Sequence, residues 1–159
     1  MIMTAAPGET IQQYKELFRQ HSQFENVKVH ELNGKTAKKL SKTINFNEVN
    51  VIICSDMYLK NTTSVEYNEE RENNKKAFKK MNWLKDQCGV IFYDECHKGG
   101  TTFLSQGIME FYGSQAINIY TTATYEKPLN AYDCPVITRD FEDIMLCKNI
   151  NNPFHQERF

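Results

Sequence analysis

Asp94, Glu95 and His97 fall within four consecutive residues, Asp94-Glu95-Cys96-His97, directly behind the apolar run Val90-Ile91-Phe92-Tyr93. That order has a chemical use. A buried strand can deliver an aspartate to its carboxyl edge, where it holds Mg²⁺ beside the phosphates of a nucleotide, directly or through water. The adjacent glutamate, expected on the other side of the pleat, can position or deprotonate an attacking water. His97 can sense a phosphate and couple it to neighbouring segments. The plain alternative is a solvated strand end, because short motifs match by chance. Thr122-Ala123-Thr124 follows the next predicted strand, one helix later, and alone it reads as a strand-end turn. The combined order of strand, Asp-Glu-Cys-His, helix, strand and Thr-Ala-Thr is much less a matter of chance. It places the threonine hydroxyls close to His97.

Strands and helices must alternate for these two segments to meet, and the pattern does alternate. Ile2 and Met3 open a short strand that meets a turn at Pro7-Gly8. Ile11, Tyr14, Leu17 and Phe18 then mark an amphipathic helix to about residue 24. Residues 27–32 alternate as a half-buried strand, Asn33-Gly34 breaks it, and 36–43 form a short helix with Ala37 and Leu40 inward. The β-branched run 49–54 is a buried strand, followed by a helical turn at Met57-Tyr58-Leu59 and a polar excursion over 61–74. A helix over 75–87 with Ala77, Met81 and Leu84 on one side precedes the continuous apolar strand 89–93. A loop over 98–102, a helix over 103–112 and a strand over 116–120 complete the pattern. Farther on, Val136-Ile137-Thr138 suggests a short strand, 141–147 a helix, and the end beyond Asn151 a loose tail. The fold class is α/β, with a mainly parallel sheet covered by helices on both faces. Ligands on such sheets sit at the carboxyl ends of the strands, where both motifs fall.

The 159 residues amount to one domain's worth of chain, 40% hydrophobic and 25% charged. A formal charge of −1 gives no global pull toward a polyanion or membrane. Lys75, Lys76, Lys79 and Lys80 make a basic helical face, but Glu69, Glu70 and Glu72 lie beside it, so a solvated, self-paired helix is the better reading. Trp83 reads as packing, with base stacking as the other role open to it. The five cysteines are odd in number and lack Cys-x-x-Cys spacing, which fits free thiols in a reducing compartment and gives no expectation of zinc. Neither a signal peptide nor the run of about 18 apolar residues needed for a membrane span is visible, so a cytoplasmic location is expected.

Val90-Ile91-Phe92-Tyr93-Asp94-Glu95-Cys96-His97 resembles motif II of superfamily 2 helicases, including the DEAH-like modules of restriction systems and of phage or large-virus genomes. Tyr120-Thr121-Thr122-Ala123-Thr124 is similar to their motif III, and residues 1–7 to motif Ia. The resemblance implies a partial RecA-like first motor lobe over 1–130, with 131–159 leading toward a second lobe. It implies ATP and Mg²⁺ as cofactors, Asp94 on the metal, Glu95 on the water and His97 as a further catalytic residue. Thr122, Ala123 and Thr124 would couple the nucleotide to a DNA or RNA strand held near Ala5, Ala6, Pro7 and Ser55.

The departures shape the expectation. The family's phosphate loop, GxxxxGK[ST], precedes motif Ia. Asn33-Gly34-Lys35-Thr36 does not replace it, because Val29 stands where the first glycine belongs, and a capped turn into a helix is expected there instead. The phosphate-loop strand is expected to be a central neighbour of the Asp94 strand, so its absence should leave unpaired backbone and exposed apolar surface. Pairing with a segment that bears the loop, or with a second copy through an exposed sheet edge, would follow. The alternative function is a catalytically inactive, helicase-derived binding or interaction module.

Overall fold

The computed structural model describes residues 1–5, 8–63, 78–98, 103–124, 130 and 132–137. Its strands are β1 (Ile2–Thr4), β2 (Lys28–Leu32), β3 (Asn50–Ser55), β4 (Val90–Asp94) and β5 (Ile117–Tyr120). Its α-helices are α1 (Gly8–Gln20), α2 (Ala37–Thr43), α3 (Asp56–Thr63) and α4 (Phe103–Gly113). All strand pairs are parallel, in the order β2-β3-β1-β4-β5. The α/β class and the parallel sheet flanked by helices are as the alternation predicts.

Register divides the side chains between two faces. Ile2 lies opposite Ile53 on one side and Phe92 on the other, so these three share a face. There Ile2, Ile53 and Ile11 of α1 form a small core, with Tyr14, Phe18, Val29 and Val51 packed around it. Met3, Cys54, Ile91 and Tyr93 point to the opposite face, into the larger core with Leu40 of α2, Leu59 of α3 and Ile108 and Tyr112 of α4. Two 3-10 helical segments, Phe78–Leu84 and Cys96–Lys98, flank β4, and Met81 and Leu84 of the first are buried in the larger core.

Several boundaries differ from the periodicity, each for a local reason. The first helix stops at Gln20; His21 is extended, and the 3-10 turn Ser22–Phe24 carries the Phe24 ring back onto Phe18 at 4.9 Å. The turn at Met57-Tyr58-Leu59 lengthens into α3, because Ser55 Oγ accepts the Tyr58 N–H at 3.2 Å and Asp56 occupies the first turn. In place of the helix over 75–87 there is the 3-10 segment Phe78–Leu84, residues 75–77 lying outside the described ones. Val136 and Ile137 are not in a strand and are 49% and 99% exposed. Thr138, the helix expected over 141–147 and Cys147 also lie outside the described residues.

Two expectations about β4 are corrected. Its run Gly89-Val90-Ile91-Phe92-Tyr93 is not buried on both faces: Ile91 and Tyr93 are buried, whereas Val90 and Phe92 are 38% and 40% exposed. Nor does β4 lack a neighbour, since it is paired with β1 on one side and β5 on the other. Among the described residues β5 forms one edge of the sheet and β2 the other.

One buried polar cluster ties the strands' carboxyl ends to the helices behind them. Tyr93 OH donates to Asp56 Oδ2 at 2.9 Å and lies 3.3 Å from Ser105 Oγ of α4, while Lys60 Nζ pairs with the same Asp56 oxygen at 2.7 Å. Asp56 is 3% exposed, so its charge is tolerated only through these partners.

Candidate functional site

Parallel register fixes which residues meet at the carboxyl edge. Thr4 lies opposite Ser55 of β3 and Asp94 of β4, and Tyr93 lies opposite Tyr120 of β5. The two segments singled out in the sequence therefore leave adjacent strands side by side. The backbone extends the pairing past the strands: Thr121 N–H donates to the Tyr93 carbonyl at 3.0 Å, and Cys96 N–H donates to the Thr121 carbonyl at 3.1 Å.

Asp94 is faced by hydroxyls from two other segments. Thr121 Oγ1 donates to Asp94 Oδ1 at 3.1 Å, and the Tyr14 phenol of α1 lies beside the same carboxylate. Burial, and after it the neighbouring charges of Asp94 and Glu95, push the Tyr14 phenol up to about 12. Sequence reasoning assigns Tyr14 only to an apolar helix face and Thr121 only to a strand end. The available signal is slight: Tyr14 is the polar-tipped member of an otherwise apolar stripe.

Glu95 does not continue the pleat. Its φ of 55° is in the left-handed region, which a non-glycine residue adopts at a cost, and the chain turns there into the 3-10 segment Cys96–Lys98. The turn brings Glu95 Oε2 to 3.1 Å from His97 Nδ1, which in turn lies 2.8 Å from Thr122 Oγ1. The Glu95 approach has an ion-pair distance but not hydrogen-bond geometry, so Oε2 is a buried carboxylate oxygen with no hydrogen-bond partner. Such an atom fits an external donor or cation.

Thr122 organises the other side. Its Oγ1 accepts the Thr124 N–H at 3.0 Å and donates to the Thr124 carbonyl at 2.8 Å. With its proton committed to that carbonyl, Oγ1 accepts from His97, and the ring carries its proton on Nδ1. This tautomer gives the Nδ1 proton and the Thr122 hydroxyl proton each an acceptor, and it leaves Nε2 as the unprotonated ring nitrogen.

The proposed nucleic-acid residues are less gathered. Ala5 follows β1 at the same carboxyl edge and is half-buried; Ser55 ends β3, and its hydroxyl is engaged in capping α3. Ala6 and Pro7 lie outside the described residues. Ala123 and Thr124 are exposed. Asn33-Gly34-Lys35-Thr36 makes the expected capped turn: Asn33 Oδ1 accepts the Lys35 and Thr36 N–H groups at 2.9 and 3.1 Å, and the tract follows β2, at the edge remote from β4.

Among the described residues no three His, Cys, Asp or Glu side chains cluster as a protein-only metal cage requires. Mg²⁺ beside a nucleotide asks for less, one or two carboxylates with phosphate and water supplying the rest, a donor set to which Asp94 would contribute one carboxylate. Among the described residues no helix is long and apolar enough to cross a membrane. No protein-family model matches the chain, no curated protein matches it, and no solved structure matches it.

Proposed function

We propose that the chain is part of a RecA-like motor lobe of an ATP-dependent nucleic-acid helicase or translocase, supplying the hydrolytic edge of the site. The observation that carries this reading is the side-by-side exit of the Asp94-Glu95-Cys96-His97 and Thr122-Ala123-Thr124 segments, joined by the His97–Thr122 contact of 2.8 Å. Asp94 is the residue to hold Mg²⁺, which when bound neutralises developing phosphate charge. Glu95, with an unpartnered Oε2, is the group to orient the attacking water and take its proton. His97 links that position to Thr122, and through it to the chain leaving β5. Thr4 of β1, Ala5 directly after it and Ser55 of β3 stand at the same carboxyl edge as Asp94, which gives a nucleic-acid strand bound there a backbone path to the hydrolytic residues.

The same reading limits the chain. The backbone amides and lysine that cradle phosphates are not among these residues, so Mg-ATP titrated calorimetrically into the chain should bind weakly or not at all. Supplied with a phosphate-loop strand and helix, it should bind Mg-ATP; Asp94→Asn should then weaken Mg²⁺-dependent binding at least tenfold, while Glu95→Gln should abolish turnover and keep binding. Tight Mg²⁺-dependent binding by the chain alone, or indifference of the completed site to Asp94→Asn, would overturn the assignment.

A further inference from the structure

Two thiols and two phenols gather where β5 ends. The Tyr132 ring stacks on Tyr120, the last residue of β5, with centroids 4.0 Å apart and planes 23° from parallel. The next residue, Thr121, takes the Cys96 N–H on its carbonyl at 3.1 Å, which seats Cys96 beside the stacked pair. Cys134 lies two residues beyond Tyr132. A charge on Cys134 bears on Cys96, and charges on both thiols bear on both phenols, so the four side chains form one cluster.

The two thiols differ in what reaches them. Cys96 is fully buried and packs in the larger core, whereas Cys134 is exposed. A soluble oxidant therefore meets Cys134 first. From Asp133 to Ile137 the chain is exposed and outside helix and strand, while Tyr132 behind it is half-buried. Cys134 can thus approach Cys96 without giving up a helix or sheet hydrogen bond, toward the α-carbon separation of about 5.5–6 Å that a disulfide prefers.

Cys54 and Cys88 form a separate group. Both are buried, a charge on Cys88 bears on Cys54, and burial foremost pushes the Cys54 thiol up to about 12. That group has no exposed sulfur to begin an oxidation.

We propose that Cys134 and Cys96 are a peroxide-responsive pair whose disulfide clamps the turn through Glu95, Cys96 and His97. Hydrogen peroxide oxidises the Cys134 thiol to a sulfenic acid and is itself reduced to water. The Cys96 sulfur, giving up its proton, attacks the Cys134 sulfur; the S–S bond forms, the S–O bond breaks, and the hydroxyl leaves with that proton as a second water. Two thiols and one peroxide give one disulfide and two waters, a two-electron oxidation that a thiol reductant reverses. Disulfides of reducing compartments are of this transient, sensing kind. Cys96 sits between Glu95, whose φ is 55°, and His97, which contacts Glu95 and Thr122, so a covalent tie there fixes the turn that orients both. That the clamp stops water activation rests on the function proposed above; the bond itself rests on the cluster.

The test treats the full chain with hydrogen peroxide and maps its peptides by mass spectrometry. The Cys96 and Cys134 peptides should appear joined, and dithiothreitol should release them. Cys134→Ser, at an exposed position, should abolish the cross-link, and Cys96→Ala should leave a Cys134 sulfenic acid that dimedone traps. The Cys96 amide should exchange with solvent about tenfold more slowly in the oxidised chain. A disulfide to Cys54, Cys88 or Cys147, a bond between two chains, or Cys134 oxidised with Cys96 left free overturns the proposal, and so does a cross-link that leaves exchange unchanged. Turnover is measured separately in the chain supplied with a phosphate-loop strand and helix, where oxidation should lower it at least tenfold and the reductant restore it. Turnover that survives the cross-link overturns the clamp. Turnover missing from both forms, with the cross-link and the slowed exchange in place, sinks the function and keeps the clamp.

Discussion

Asp94 and Glu95 are neighbours in sequence but live in different environments. Asp94 receives a hydroxyl hydrogen bond from Thr121 and has the Tyr14 phenol beside it, whereas Glu95 Oε2 receives no hydrogen bond. A pair divided in this way suits a metal-holding carboxylate beside a proton-accepting one. Tyr14→Phe removes the phenol that faces the Asp94 carboxylate and should cost about 1 kcal/mol in urea unfolding. The alkaline behaviour gives a second readout. The phenol ionises at about 12 in the fold against 10 ordinarily, so the stability it contributes is complete below pH 10 and is lost as pH rises toward 12. Stability measured across that window should fall less steeply in Tyr14→Phe. An identical slope would remove Tyr14 from the site. Thr122→Val should disturb His97 directly, because the ring then has no acceptor at 2.8 Å and its Nδ1 proton turns to Glu95. The His97 imidazole ¹⁵N shifts should report the change, and unaltered shifts would count against the Nδ1–H tautomer.

Among the elements, β4 is the hinge between core and site. Tyr93, directly before Asp94, holds Asp56 and touches Ser105, so β4, α3 and α4 share one buried carboxylate. Lys60→Met removes the cation paired with an almost fully buried Asp56 and should cost about 3–5 kcal/mol. Asp56→Asn with Lys60→Met should recover much of that loss, because the uncompensated charge is gone as well. Urea unfolding of the single and double variants checks both, and a double variant no better than the single would mean that packing carries the effect. The two faces of β4 should also respond differently. Ile91→Ala, in the larger core at 0% exposure, should cost about 2–5 kcal/mol. Ile117→Ser on the neighbouring β5, at 66% exposure, should stay within about 0.5 kcal/mol.

At the scale of the whole molecule, the sequence carries the strand–helix alternation, the α/β class and the two segments that end adjacent strands. It does so because periodicity and turn chemistry are local: Ile11, Tyr14 and Phe18 mark one helix face, and the β-branched residues of β3 mark a strand, whatever lies beyond them. The Asp94-Glu95-Cys96-His97 order is legible for the same reason. Strand order is not local. The sequence places β4 after β3, but only pairing inserts β1 between them and gives β4 two neighbours. From that follow the edge position of β5 among the described strands and the exposure of Phe92 beside buried Tyr93, which a continuous apolar run cannot reveal. The contribution of Tyr14 is hidden likewise, since 80 residues of chain separate it from Asp94 and only the packing of α1 beside β4 brings the phenol to the carboxylate. Residue types and spacing determine which groups are able to act. Tertiary structure decides which of them share a site, because contact depends on chain topology and on the rotation of each side chain about its own element.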